Sequence, residues 1–70
     1  MKYAVVFEKS ANNYAAFVPD LPGCVATGKT RRTVEKNIRE AIAFHIEGLR
    51  QDGEPVPVPE AWTELVEAAV

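Results

Sequence analysis

Apolar and polar residues alternate with a period of two at the start of this 70-residue chain and with a period near 3.6 in its middle. Residues 2–8 form an apolar, β-branched and aromatic run ending in Glu8, and Tyr14, Ala15, Ala16, Phe17 and Val18 form a second. Ser10, Ala11, Asn12 and Asn13 separate the two runs, which predicts a β-hairpin. Asparagine tolerates left-handed backbone better than any residue except glycine, so Asn12 and Asn13 are the expected apex. Pro19 and Pro22 then remove backbone donors and Gly23 frees the dihedrals, so no strand continues through residues 19–23. A short third strand over residues 24–27 stops at Gly28. Three strands on short connections make an antiparallel meander.

From Thr30 to about Gln51, the residues Val34, Ile38, Ala41, Ile42, Ile46 and Leu49 fall on one stripe of a helix. Thr30 is the expected N-cap, and Asp52 with Gly53 the stop, Gly53 suiting the left-handed C-terminal position. Proline at every second position in residues 54–59 predicts an extended, unpaired segment. In residues 61–70, Trp62, Leu65, Val66 and Ala69 fit a helix, while Val66, Ala68 and Val70 fit a strand, and periodicity leaves both open. The fold class is α+β: one long helix on one face of a three-stranded antiparallel sheet. The first strand is apolar on both faces, Tyr3, Val5 and Phe7 pointing one way and Ala4 and Val6 the other. The set that the helix leaves uncovered is an exposed apolar patch, which marks an interface.

Length and composition sharpen that expectation. Residues 1–70 are one domain. A chain this short buries only about 60% of the surface its unfolded form exposes, and it needs a disulfide, a metal or self-association. One cysteine, Cys24, cannot bridge within the chain, and Cys24 with the one histidine, His45, falls short of the four ligands of a closed zinc site. Self-association or a permanent partner remains, with a homodimer or tetramer expected. The net charge of −2 and pI of 5.3 lack the footprint of a nucleic-acid binder. Met1 and Lys2 lead straight into the strand pattern, so no secretory leader is expected, and no apolar run approaches the ~18 residues of a membrane helix. A cytoplasmic setting with Cys24 reduced is the default.

Candidate chemistry is sparse. His45 falls about 20° from Val34 on a helical wheel, in the middle of the apolar stripe, where a core or interface histidine hydrogen-bonded at one nitrogen is the better reading. Cys24 follows Gly23 with no visible cation beside it and reads as a small, partly buried hydrophobe. Glu8 and Asp20, near the ends of the first two strands, could hold a metal for phosphodiester cleavage only if brought together, and such sites draw on more carboxylates. Lys29, Arg31 and Arg32 cluster at the helix start, where the macrodipole disfavours each cation by a few tenths to about 1 kcal/mol. They form a candidate contact for an anion or an acidic partner. No cofactor motif and no catalytic group is found.

The order of features is nonetheless specific. The block Pro19, Asp20, Leu21, Pro22, Gly23, Cys24 is followed by Ala26, Thr27, Gly28, Lys29, Thr30. A helix then carries Asn37, Ile38, Arg39, Glu40, Ala41, Ile42 and His45, Ile46, Glu47, Gly48, Leu49, and Asp52, Gly53, Glu54, Pro55, Val56, Pro57 comes after it. Over essentially its whole length the chain resembles the HicB family of antitoxins. The resemblance implies a partial ribonuclease-H-like fold, β-β-β-α-β, whose last strand over residues 65–69 pairs on the sheet edge. It also implies binding and masking of a small HicA-like toxin that cleaves mRNA, with no catalysis by the antitoxin itself. Many members carry a C-terminal DNA-binding module, and this chain ends at Val70 before one, so promoter binding is doubtful. The family's helix start is usually acidic, whereas here Arg31, Arg32 and Thr33 stand in its place. Pro22 and Gly23 shape a turn that Asp20 is placed to cap, and Lys29, Arg31, Arg32 and Asp20 are the candidate contacts. The competing expectation is a solitary nucleic-acid-binding domain without catalytic activity that uses Lys29, Arg31 and Arg32.

Overall fold

A computed structural model describes residues 1–70. Strands β1 (Val6–Lys9), β2 (Tyr14–Phe17) and β3 (Val25–Gly28) form one antiparallel sheet in the order β1-β2-β3, followed by helix α1 (Arg31–Gln51). The α+β class and the meander are as the sequence predicts.

Local chemistry explains the boundaries. Ser10 closes the first connection, its backbone N–H donating to the Asn13 carbonyl at 2.9 Å and its hydroxyl to Asn13 Oδ1 at 2.6 Å. Asn12 and Asn13 lie in this connection as expected, but the closure needs no left-handed residue and both keep negative φ. Between β2 and β3 the donors in use are the backbone N–H groups of Val18, Leu21 and Cys24. The two prolines fall at positions where none is needed, and Gly23 takes φ +84°. β1 begins at Val6, later than the apolar run, because Val6 pairs with Phe17 at the last position of β2. Residues 2–5 therefore run on past the end of the ladder. β3 extends one residue beyond the expected stop, since Gly28 still pairs with Tyr14.

Thr30 caps α1, its Oγ1 accepting from the Thr33 backbone N–H at 3.1 Å, and Gly53 ends it at φ +70°. The helix lies across β3 and β2 and leaves β1 largely to one side. Asn37 holds it there, donating from Nδ2 to the Thr27 carbonyl at 2.8 Å. The buried core is Ala16, Val18, Leu21, Cys24, Val34 and Ile38, with Tyr3, Val5, Ala41, Ile42 and Ile46 packed around it. Six residues are a small core for 70, in keeping with the limit that length imposes. Half-buried His45 lies beside this cluster, but its ring makes no protein hydrogen bond, unlike the singly bonded histidine expected.

The proline-rich residues 54–59 form neither helix nor strand, as the alternating prolines predict. Tyr3 Oη donates to the Pro57 carbonyl at 2.6 Å, and Asp20 Oδ2 accepts from the backbone N–H groups of Glu60 and Ala61, each at 3.0 Å. Beyond this tie the chain leaves the body. The radius of gyration is 13.7 Å, against about 11 Å for a compact 70-residue domain. The expected C-terminal strand over residues 65–69 is not formed: these residues make no ladder and are exposed.

Candidate partner-binding surfaces

The pairing register decides which side chains share the open face. Val6 is opposite Phe17, and Phe17 is opposite Val25, so the three form one row across the sheet on the side away from α1. The row is wet: Phe17 is 39% and Val25 64% exposed. Ala4 and Ala15 extend the same face, bordered by Glu8 and Thr27. As alternation predicts, Ala4 and Val6 lie on a face apart from Tyr3, Val5 and Phe7, and the helix takes the latter set. The sequence alone does not put Phe17 and Val25 beside Val6. Alternation within β2, with Ala16 inward and Phe17 outward, was the available signal, but it needed the register to become a surface.

The second apolar surface follows from the lateral offset of α1. Between β1 and the helix lies a groove of about 510 Å³ lined by Tyr3, Val5, Phe7, Ile38 and Ile42, with Lys2, Glu35 and Arg39 at its rim. A smaller hollow of about 280 Å³ continues it toward Lys9 and Arg31, sharing Phe7 and Glu35. Its outer wall is the unpaired edge of β1.

The charged candidates are not one cluster. Lys29, Arg31 and Arg32 are exposed at the N-terminus of α1, with no acid in its first turn and no ion pair of their own. The chain's one ion pair is Lys36 with Glu40, exposed and four residues apart on the helix. Asp20 lies at the opposite end of the sheet, beyond the last residue of β2. Its Oδ2 is engaged by Glu60 and Ala61, forty residues away, rather than by its own turn. Sequence proximity offers no sign of such a tie. Glu8, near the end of β1, is likewise remote from Asp20, so the two carboxylates do not converge. No group of three potential metal ligands exists. Cys24 is buried in the core, and that burial raises its thiol pKa above the ordinary value of 9.0. A thiol so placed is a poor nucleophile. No helix is long and apolar enough to cross a membrane.

Residues 3–69 match the family described as "HicB_like antitoxin of bacterial toxin-antitoxin system". The chain belongs to the HicB-like antitoxin family. Its relatives include a 14.9 kDa protein from the rep-hol intergenic region of Haemophilus phage HP1, 44% identical over 57 residues that cover 81% of this chain. A UPF0150 protein of Thermoplasma acidophilum is 43% identical over 58 residues, again covering 81% of this chain. The chain spans 43% of the length of the phage protein and 84% of that of the archaeal one. A chain of a solved HicA3 and HicB3 toxin-antitoxin complex superposes with a TM-score of 0.73 at 35% identity, covering 84% of this chain and 70% of that one. Membership of the family and the HicB-like fold are as the order of motifs predicts.

Proposed function

We propose that this chain neutralises a HicA-like, mRNA-cleaving toxin in the cytoplasm by binding and masking it, without catalysis of its own. The observation that carries the reading is the likeness, at 35% identity, to a chain solved within a HicA3 and HicB3 complex. The surface supports it. A standard interface buries about 800 Å² on each partner, roughly a seventh of the 5765 Å² this chain exposes. The row of Val6, Phe17 and Val25 offers an apolar centre bordered by polar Glu8 and Thr27, the anatomy of a protein interface. The contribution of this chain is desolvation and steric cover, which need neither a metal nor a nucleophile.

The test is inhibition of mRNA cleavage by the small toxin encoded beside this chain, alongside gel filtration of the mixture. A stable complex and loss of cleavage are expected. Phe17→Asp and Val25→Asp, at exposed positions, are expected to fold normally and to weaken inhibition at least about tenfold, as for central interface side chains. Full inhibition by both variants would remove the open face from the reading, and the absence of any complex would remove the reading itself. RNA binding by the free chain that is steeply salt-dependent and lost in Arg31→Ala/Arg32→Ala would favour the nucleic-acid alternative instead.

A further inference from the structure

The two ends of the sheet carry opposite charge. Gly28, the last residue of β3, lies against Val34 in the first turn of α1, and Thr27 bonds Asn37 one turn on, so the helix runs back over β3 toward Val25. The last turns of α1 and residues 52–60 therefore gather at the end of the sheet that holds the row Val6, Phe17 and Val25, where Asp20 ties Glu60. Glu47, Asp52, Glu54 and Glu60 are exposed there and Asp20 is half-buried, against Lys2 and Arg50. At the other end, Lys9, Lys29, Arg31 and Arg32 stand against Glu8 and Glu35. None of these charges is in an ion pair, the chain's one pair being Lys36 with Glu40. The dipole of α1 reinforces the division, negative at its C-terminus and positive at its N-terminus. A helix of 21 residues separates its ends by roughly 31 Å, about four Debye lengths at physiological salt, so each end presents its own field.

Resting on the reading of this chain as a cover for an mRNA-cleaving toxin, we infer that the acidic end is the electrostatic half of the docking surface. It steers the toxin's RNA-binding cations to the side of the open row on which Asp20 and Glu60 stand. Unpaired carboxylates gathered at one end repel one another and give the folded monomer nothing in return, whereas a cationic partner relieves them. Charge identifies that partner. A protein that cleaves RNA must hold phosphates, and it holds them chiefly with lysine and arginine. The cationic end repels the same surface, which sets the orientation: the toxin lies over Val6, Phe17 and Val25 with its RNA-contacting side toward Glu60, and Lys29, Arg31 and Arg32 face away from it. Glu60 is the clearest contributor, because its backbone N–H is held by Asp20 while its side chain is exposed and unpaired. A charge on an anchored backbone meets a partner at little ordering cost.

The experiment is stopped-flow association of the full chain with the small toxin encoded beside it, at salt from low concentration up to about 1 M. Glu60→Lys and Glu40→Lys change the net charge equally, each by +2 from −2 to 0, but Glu40 lies on α1, across the sheet from the open row. Parent association is expected to quicken as salt falls. At low salt Glu60→Lys is expected to associate about fivefold or more slowly with little change in dissociation, and the gap is expected to close near 1 M, where the Debye length is about 3 Å. Glu40→Lys is expected to stay within about twofold of the parent, and far-ultraviolet spectra should show both variants folded. Equal slowing by the two variants would make net charge, and not its placement, the cause and overturn the inference. So would association by Glu60→Lys at the parent's rate, or a parent rate independent of salt. Any of these with the toxin still bound and inhibited overturns this inference alone, whereas a parent that forms no complex removes the toxin reading with it. Self-association of the parent that Glu60→Lys abolishes would make the cationic end of a second copy the occupant and overturn the inference as well.

Discussion

Gly28 is the point where sheet and helix come closest, and its replacement by alanine gives a sharp test of the packing. An added Cβ would lie 2.6 Å from the Val34 nitrogen and 3.0 Å from Thr33 C and Val34 Cα. These are backbone atoms of the first turn of α1, held against β3 by the Thr30 cap and the Asn37–Thr27 bond. No rotamer change relieves the clash, so the helix start or the end of β3 must shift. Overpacking of this sort costs about 1–3 kcal/mol. Against it stands the ordinary benefit of restricting the unfolded chain, about 0.4–1 kcal/mol; because the clash is with backbone atoms the cost falls in the upper half of its range, about 2–3 kcal/mol, and the net loss is about 1–2 kcal/mol. Gly48 is the control: it lies inside α1, and nothing approaches within 4 Å of the Cβ it would gain. Alanine there is expected to stabilise by about 0.5–1 kcal/mol. At roughly 4–8 °C per kcal/mol for a chain of this size, Gly28→Ala should lower Tm by roughly 4–16 °C and Gly48→Ala raise it by roughly 2–8 °C. Circular-dichroism melts at one fixed protein concentration read both, the concentration mattering because association shifts Tm. Gly28→Ala melting at or above the parent would refute the close approach.

Two further outcomes follow from single contacts. Asp20→Ala removes the acceptor of two backbone bonds, and a charge-assisted bond is worth about 1.5 kcal/mol or more, so hydrogen exchange at the Glu60 and Ala61 amides should quicken about tenfold. Exchange in the middle of α1 should stay unchanged, and an equal acceleration there would mean that the tie supports the whole fold. Burial raises the Cys24 thiol pKa in the folded chain, so above pH 9.0 the unfolded chain loses that proton first and stability falls as the pH climbs. Urea titrations at pH 8 and pH 10 should show the decline in the parent and a smaller one in Cys24→Ala; equal declines would assign it to other groups.

The helix was legible from Val34 to Leu49 because its signals are local: a 3.6 period, a threonine cap and a glycine stop. The strands were legible as runs but not in their limits, since the start of β1 depends on where β2 runs out of partners. Asn12 and Asn13 are legible as the turn, but not their right-handed backbone, because Ser10 closes the connection by bonds to Asn13 that residue preferences alone do not specify. Asp20 was legible as part of a motif, whereas its partners lie forty residues on, a separation at which no spacing rule operates. The tail was ambiguous for a related reason: its ten residues fit strand or helix equally, and only an edge to pair with could decide.

Each element packs chiefly on the one just before it: β1 meets β2, β2 meets β3, and α1 rests mostly on β3. Such local wiring belongs to chains that fold quickly, because little loop entropy is lost before contacts form. The exceptions are the bond from Tyr3 to Pro57 and those from Asp20 to Glu60 and Ala61, which close loops of 54, 40 and 41 residues. By the same loop-entropy argument, these closures are expected to form last in folding and to open first. The sheet and helix can therefore be complete while the C-terminal segment is still uncommitted, so that the loss of these three bonds reports on the tail and not on the body of the fold.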